Sequence, residues 1–408
     1  MELRGTSPPD DEVEDWQRCL EQARAAGNSG QQAQALIALG HLAAARQERP
    51  AALDYYQRAL SAAGDEPAAR AAGLQALAQA LVWEQQPDVA QPMLQEALAL
   101  WEQLNDGAGQ AGAWLVLGDT HRLQRHYQAA REAYECARAR FIAVGDPLGA
   151  ANALQSCGTV HRLQDDYPAA VTCYRGAQSL FQAAGDALGE AHALQALGEA
   201  YSFQSDYAAG LNAYTRALEL FQAAEDASGE AHAAKAVGDL LQLQGDHAAA
   251  LQAYHSAMKL FQLCASRSGQ ANTLQATGDV LRARSDLAAA LNAYMQALEL
   301  FCAEGDQQGQ ANTWLALADV ARAKGDFARA EAGYLAAFNL YRALGDAYSQ
   351  ARAAYRMGDG RRAQGDLAEA RRLYLLARQV WLSLGLDALV EEVLAPRLAE
   401  LEAASADG

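Results

Sequence analysis

Lysine is nearly missing from this chain of 408 residues: only Lys235, Lys259 and Lys324 supplement its arginines. With abundant alanine, that bias points to a GC-rich bacterial source and says nothing about mechanism. There are 9 prolines and few β-branched residues, which argues against a fold built on sheets. No apolar run approaches the roughly 20 residues of a membrane span. The start, MELRGTSPPDDEVEDW, has no basic segment followed by an apolar one, so a cytoplasmic chain without membrane insertion is expected. A net charge of −18 weighs against a general nucleic-acid or anionic-membrane surface. The six cysteines (Cys19, Cys136, Cys157, Cys173, Cys264, Cys302) show no CxxC spacing and are expected to be buried free thiols, with neither a disulfide framework nor a metal site. Phosphate-cradling, dinucleotide-binding, zinc-protease and nucleophile-elbow motifs are missing too, and none of the 8 histidines stands at a recognisable spacing from a nucleophile and an acid. No catalytic residue, metal or cofactor is expected, and the chain is not expected to be an enzyme.

What is there is repetition, which replaces a count of ordinary domains. Gly118, Gly158, Gly198, Gly238, Gly278 and Gly358 recur at 40 residues, with Ala318 filling the gap. Sixteen residues after each stands a tyrosine, from Tyr134 to Tyr374. Twelve after each stands an alanine, except at Gly210. Small residues at matched places let two helices approach while the ring fills the space beside them. Asp166, Asp206, Asp246, Asp286, Asp326 and Asp366 stand where helix N-caps belong. Gly145, Gly185, Gly305 and Gly345, each followed by aspartate, close one unit and open the next. Each repeat therefore reads as a hairpin of two helices.

Trp114, Leu117, Gly118, Ala130, Tyr134 and Ala137 in WLVLGDTHRLQRHYQAAREAYECA resemble the tetratricopeptide repeat, with His121, or Tyr201 in a later unit, at the next aromatic place. The 40-residue length is similar to the class found in Pins/LGN-type polarity adaptors, kinesin light chains and bacterial peptide- or ligand-sensing regulators. The resemblance implies an all-α, right-handed α-solenoid of about nine helix hairpins with N- and C-terminal end helices. The expected divisions are a disordered segment at 1–10, a helix at 11–27, repeats over 28–386, a capping helix at 387–404 and a disordered tail at 405–408. The second repeat, 67–106, is irregular: Ala78 replaces glycine, and Pro87 and Pro92 predict a kink or a shortened helix.

Helical periodicity also marks a face. Counting from six residues before the repeat glycine, positions 0, 3, 7 and 10 fall in an arc of roughly 80°. Stacked repeats turn each position into a column of a groove. The first column includes Asn152, His192, His232, Asn272, Asn312 and Arg352, and the second Gln155, Gln195, Lys235, Gln275 and Tyr355. Asn, Gln and His donate and accept, which suits the main chain of an extended peptide. The third column is acidic and the fourth rich in arginine, giving i, i+3 pairs such as Asp279 with Arg282 and Asp319 with Arg322. Glu199 and Asp239 lack that arginine, which predicts an acidic patch beside His192, His232 and Lys235. In the last repeat Arg352 and Arg356 stand one turn apart, placed to hold a carboxylate. In the family such first-helix positions hold peptides through Asn, Lys and Arg. Here Asp or Glu follows the glycine where the Pins/LGN-type units have asparagine, which implies a ligand of more basic character.

The leading reading is a non-enzymatic scaffold or adaptor that binds a peptide segment of a partner protein in its concave groove. The alternatives are a regulator sensing a peptide or small ligand, and a self-assembling architectural protein.

Overall fold

A computed structural model describes residues 10–406; the first nine residues and the last two, within the segments expected to be disordered, lie outside it. The described chain divides after Asp226 into two compact units. The first holds α1 (Asp10–Ala25), α2 (Ser29–Ala45), α3 (Arg49–Ala63), α4 (Pro67–Trp83), α5 (Pro87–Gln103), α6 (Gly107–Leu123), α7 (Tyr127–Ala143), α8 (Pro147–Leu163), α9 (Tyr167–Ala184), α10 (Ala187–Phe203) and α11 (Tyr207–Ala223). The second holds α12 (Ala227–Leu243), α13 (His247–Leu263), α14 (Arg267–Ala283), α15 (Leu287–Glu304), α16 (Gln307–Ala323), α17 (Phe327–Leu344), α18 (Ala347–Ala363) and α19 (Leu367–Ser383), followed by a broken terminal helix. Within each unit every first helix packs on its second, and every second helix on the next first, as in a tetratricopeptide-type solenoid.

The repeat glycine exists for a ring. A Cβ on Gly118, Gly158, Gly238 or Gly278 would stand 2.5 to 2.7 Å from the tyrosine sixteen residues on, so only a bare backbone lets that ring lie flat against the first helix. A second set of close approaches joins one repeat to the next: a Cβ on Gly149, Gly189, Gly269 or Gly309 would meet Phe141, Phe181, Phe261 or Phe301 at 2.2 to 2.4 Å. In these repeats tyrosine therefore fills the inside of the hairpin and phenylalanine the joint to the next one. Both sets are buried.

Helix ends follow the aspartates. Asp166, Asp206, Asp246, Asp286, Asp326 and Asp366 each accept a backbone N–H three residues on, at 3.0 to 3.2 Å, each such cap being worth about 1 kcal/mol. Gly145, Gly185, Gly305 and Gly345 have φ between 71° and 75°. Other turns put Arg125, Asp165, Ser205 or Ser285 in the same left-handed region.

Of the two expectations for the irregular repeat, the shortened helix does not occur. α5 is not shortened: it runs 17 residues, as its neighbours do, with Pro87 at its first position where the missing N–H costs nothing. Pro92 lies inside it and removes one backbone bond, while Leu94, Leu98 and Trp101 pack a core with Leu74, Leu77 and Leu81 of α4. Beyond α19 the end segment is not one even helix. A single helical turn, Asp387–Leu389, passes into a π-turn, Val390–Leu394, before the helix Ala395–Ala406. Pro396 has no N–H to give and its ring crowds the preceding turn, which the wider π-turn relieves. Val390, Leu394 and Leu401 of this segment bury against the core that holds Tyr374 and Trp381.

Candidate binding face

In the first unit the half-buried side chains of Asn152, Gln155, His192, Gln195 and Glu199 lie on α8 and α10. Among the described residues the amides of Asn152, Gln155 and Gln195 have no hydrogen-bond partner. Arg162 on α8 reaches Glu199 on α10 at 3.2 Å, which bridges these two first helices. His192 meets the Phe221 ring edge-on, with centroids 5.1 Å apart.

The second unit is differently occupied. His232 is exposed and meets Phe261 edge-on at 5.0 Å, and Lys235 donates to Asp239 at 2.8 Å. Asn272 turns back to Ser268 O at 2.9 Å, Gln275 accepts from Thr313 at 3.1 Å, and Asn312 accepts from the Tyr341 hydroxyl at 2.7 Å. Arg352 donates to that same hydroxyl at 3.3 Å. Tyr355 packs against Trp381, with Arg356 and Arg397 near its ring.

Two expectations change. Glu199 and Asp239 do not form an unpaired acidic patch, because Arg162 and Lys235 hold them. Arg356 is not open to a ligand carboxylate: its Nη1 lies 2.5 Å from Asp319 Oδ2. The rest of the basic last repeat is largely committed as well, Arg361 to Glu331, Arg362 to Glu400 and Arg372 to Glu369.

The acidic column as a whole faces inward as much as outward. The hydroxyls of Tyr134, Tyr254, Tyr294, Tyr334 and Tyr374 donate to Asp119, Asp239, Asp279, Asp319 and Asp359 at 2.7 to 2.8 Å. The ring laid over the glycine delivers its hydroxyl to the carboxylate of the next residue. Burial, and then the adjacent carboxylate, pushes these phenols above the ordinary tyrosine range. Of the expected i, i+3 pairs, Asp119–Arg122 and Asp279–Arg282 sit at 3.5 and 3.6 Å, but Arg322 turns to the Tyr334 hydroxyl and Arg362 to Glu400. A signal for this lay in the sequence. The repeat with Leu94 in place of tyrosine has Gln79 in place of the acid, while in the first repeat His41 takes the acid's place and meets Tyr56 at 2.9 Å.

The thiols also depart from expectation. Cys19, Cys136 and Cys302 are exposed, Cys173 and Cys264 are partly so, and only Cys157 is buried. Cys157, His161 and Cys173 come together between α8 and α9, a grouping that spacing along the chain did not reveal. Among the described residues no helix is long and apolar enough to cross a membrane.

The tetratricopeptide repeat profile matches residues 68–143, 149–223, 229–303 and 309–383, well over half of the chain. No curated protein matches the sequence. Among solved structures, the apo form of RapI is 14% identical with a TM-score of 0.59, the match covering 83% of this chain and 99% of that one. The apo form of the quorum sensor NprR from B. thuringiensis is 12% identical with a TM-score of 0.58, over 91% and 98%. A Rap protein complexed with competence and sporulation factor is 14% identical with a TM-score of 0.50, over 83% and 99%. At such identities the likeness is one of fold.

Proposed function

The chain belongs to the tetratricopeptide repeat family, and from that premise we propose that it is a non-enzymatic scaffold that holds an extended segment of a partner protein along its first helices. The observation that carries this reading is the row of Asn152, Gln155 and Gln195, half-buried amides on bridged helices without hydrogen-bond partners of their own. A peptide main chain repeats one donor and one acceptor per residue, and each side-chain amide supplies both. Glu199 beside them, though held by Arg162, keeps 44% of its side chain exposed, which suits a segment with some basic character. In the second unit the corresponding amides are already bonded within the chain, which makes α8 and α10 the favoured seat.

A second reading, a ligand-sensing regulator, draws support from fold neighbours named as a quorum sensor and as a protein bound to a signalling factor. A randomised peptide library displayed against the full chain tests both. The expected outcome is a selected peptide whose affinity falls about tenfold or more with Gln155→Ala or Gln195→Ala, since each substitution strands a buried peptide group. Unchanged affinity in both folded variants would move binding off this face. A large change in radius of gyration on saturation with that peptide would favour the sensor over the scaffold.

A further inference from the structure

Cys157 and His161 stand four residues apart on α8, so both rise from one face a turn apart, and Cys173 meets them from α9. That face is opposite the one bearing Asn152 and Gln155, so the cluster is separate from the proposed binding seat. One donor atom from each of the three lies within 4.8 Å of the others. A tetrahedral zinc ion, with bonds of about 2.3 Å to sulfur and about 2.0 Å to nitrogen, spaces its donors by about 3.4 to 3.8 Å. Side-chain shifts of about 1 Å or less would therefore close the shell.

The surroundings fit a soft cation. Cys157 is 6% exposed and packs among Ala130, Tyr134 and Val160. The His161 side chain is 15% exposed. Asp166 lies against its ring, with Oδ2 3.2 Å from Nδ1, while Oδ1 caps α9 through Ala169 N at 3.2 Å. A proton held on Nδ1 by that carboxylate leaves the Nε2 lone pair for a metal, the usual way a carboxylate orients a metal-bound histidine. Two thiolates balance the charge of a divalent ion, so the loaded site is neutral where burial would penalise any excess charge.

We propose that Cys157, His161 and Cys173 form a zinc site that clamps α8 to α9 and keeps a fourth position for water or an outside donor. Binding releases the two thiol protons and displaces waters of the hydrated ion, whose places the three donors take. The test uses the full chain, reduced and stripped by a chelator, then titrated with Co²⁺ and with Zn²⁺ against a chromophoric competitor. The expected result is one ion per chain with thiolate-to-cobalt charge-transfer absorption. Cys157→Ser and Cys173→Ser should each weaken zinc at least a hundredfold, and Asp166→Asn, which keeps a cap, about tenfold. If buried Cys157→Ser fails to fold, His161→Gln and Cys173→Ser carry the same comparison at more accessible positions. No charge-transfer absorption, or zinc binding that survives a folded Cys157→Ser/Cys173→Ser double variant, would overturn the site. So would reduced protein that takes up no metal and returns to a Cys157–Cys173 disulfide in air.

Discussion

Asp319 is the place where the inward role of the acidic column can be measured. It is 8% exposed, accepts from Tyr334 at 2.7 Å, and sits 2.5 Å from Arg356 of the next repeat, whose side chain keeps 30% of its exposure. Asp319→Ala leaves the Tyr334 hydroxyl, which still accepts from Arg322, without an acceptor for its own proton, and strands a half-buried guanidinium. Removing one partner of a buried pair costs about 3 to 5 kcal/mol, and the residual exposure of Arg356 puts this case at the lower end, about 3 kcal/mol. Asp239 occupies the same column at 43% side-chain exposure, and its loss leaves Tyr254 still bonded to Gln242 at 2.8 Å. Asp239→Ala should therefore cost only about 1 kcal/mol. In a repeat array that opens locally, amide exchange is the assay, since each 1.4 kcal/mol is a factor of about ten in the opening equilibrium. Exchange in α16 and α17 should rise about a hundredfold in Asp319→Ala, and exchange in α12 and α13 only about fivefold in Asp239→Ala. Equal effects, or less than about tenfold at Asp319, would refute the reasoning and return the column to a solvated face.

Two further outcomes rest on the same ring. The buried phenols hold their protons more tightly folded than unfolded, so their contribution is intact below the ordinary tyrosine pKa of about 10 and is lost as pH climbs above it toward the raised folded values. The melting temperature should accordingly stay level from about pH 7 to 9 and fall beyond about pH 10; tyrosinate absorbance showing every tyrosine ionised near pH 10 with helicity unchanged would contradict this. Gly278→Ala drives a methyl into Tyr294 and should cost about 1 to 3 kcal/mol. Where the chain itself has Ala318, the facing helix has Gly333, at which a Cβ would stand 3.0 Å from that of Ala318. Adding Ala293→Gly to Gly278→Ala should then recover part of the lost thermal stability, and a double variant no better than the single would show that the pairing is accidental.

What could be read from the sequence alone is what periodicity and capping encode. The forty-residue recurrence of glycine and tyrosine predicted hairpins, and aspartates before apolar runs predicted their starts. Hidden from that reading were contacts whose partners lie on different helices. Asp279 and Tyr294 each recur as a column, yet fifteen residues of chain with a turn between them conceal that the tyrosine donates to the aspartate. Arg125, Asp165 and Ser205 hold left-handed turns that glycine marks elsewhere, so glycine alone undercounted the joints. The pairing of the charged face is hidden for the same reason. Helical spacing gives the direction in which Glu199 or Arg356 points, but whether either is free depends on what the neighbouring repeat sets against it, here Arg162 and Asp319. The residues left over when those partners are subtracted, Asn152, Gln155 and Gln195, are uncharged, and an uncharged polar row selects for backbone more than for sequence. A partner recognised this way would owe its affinity to being extended and its specificity to Glu199 at the margin, whose pairing with Arg162 leaves 44% of its side chain exposed.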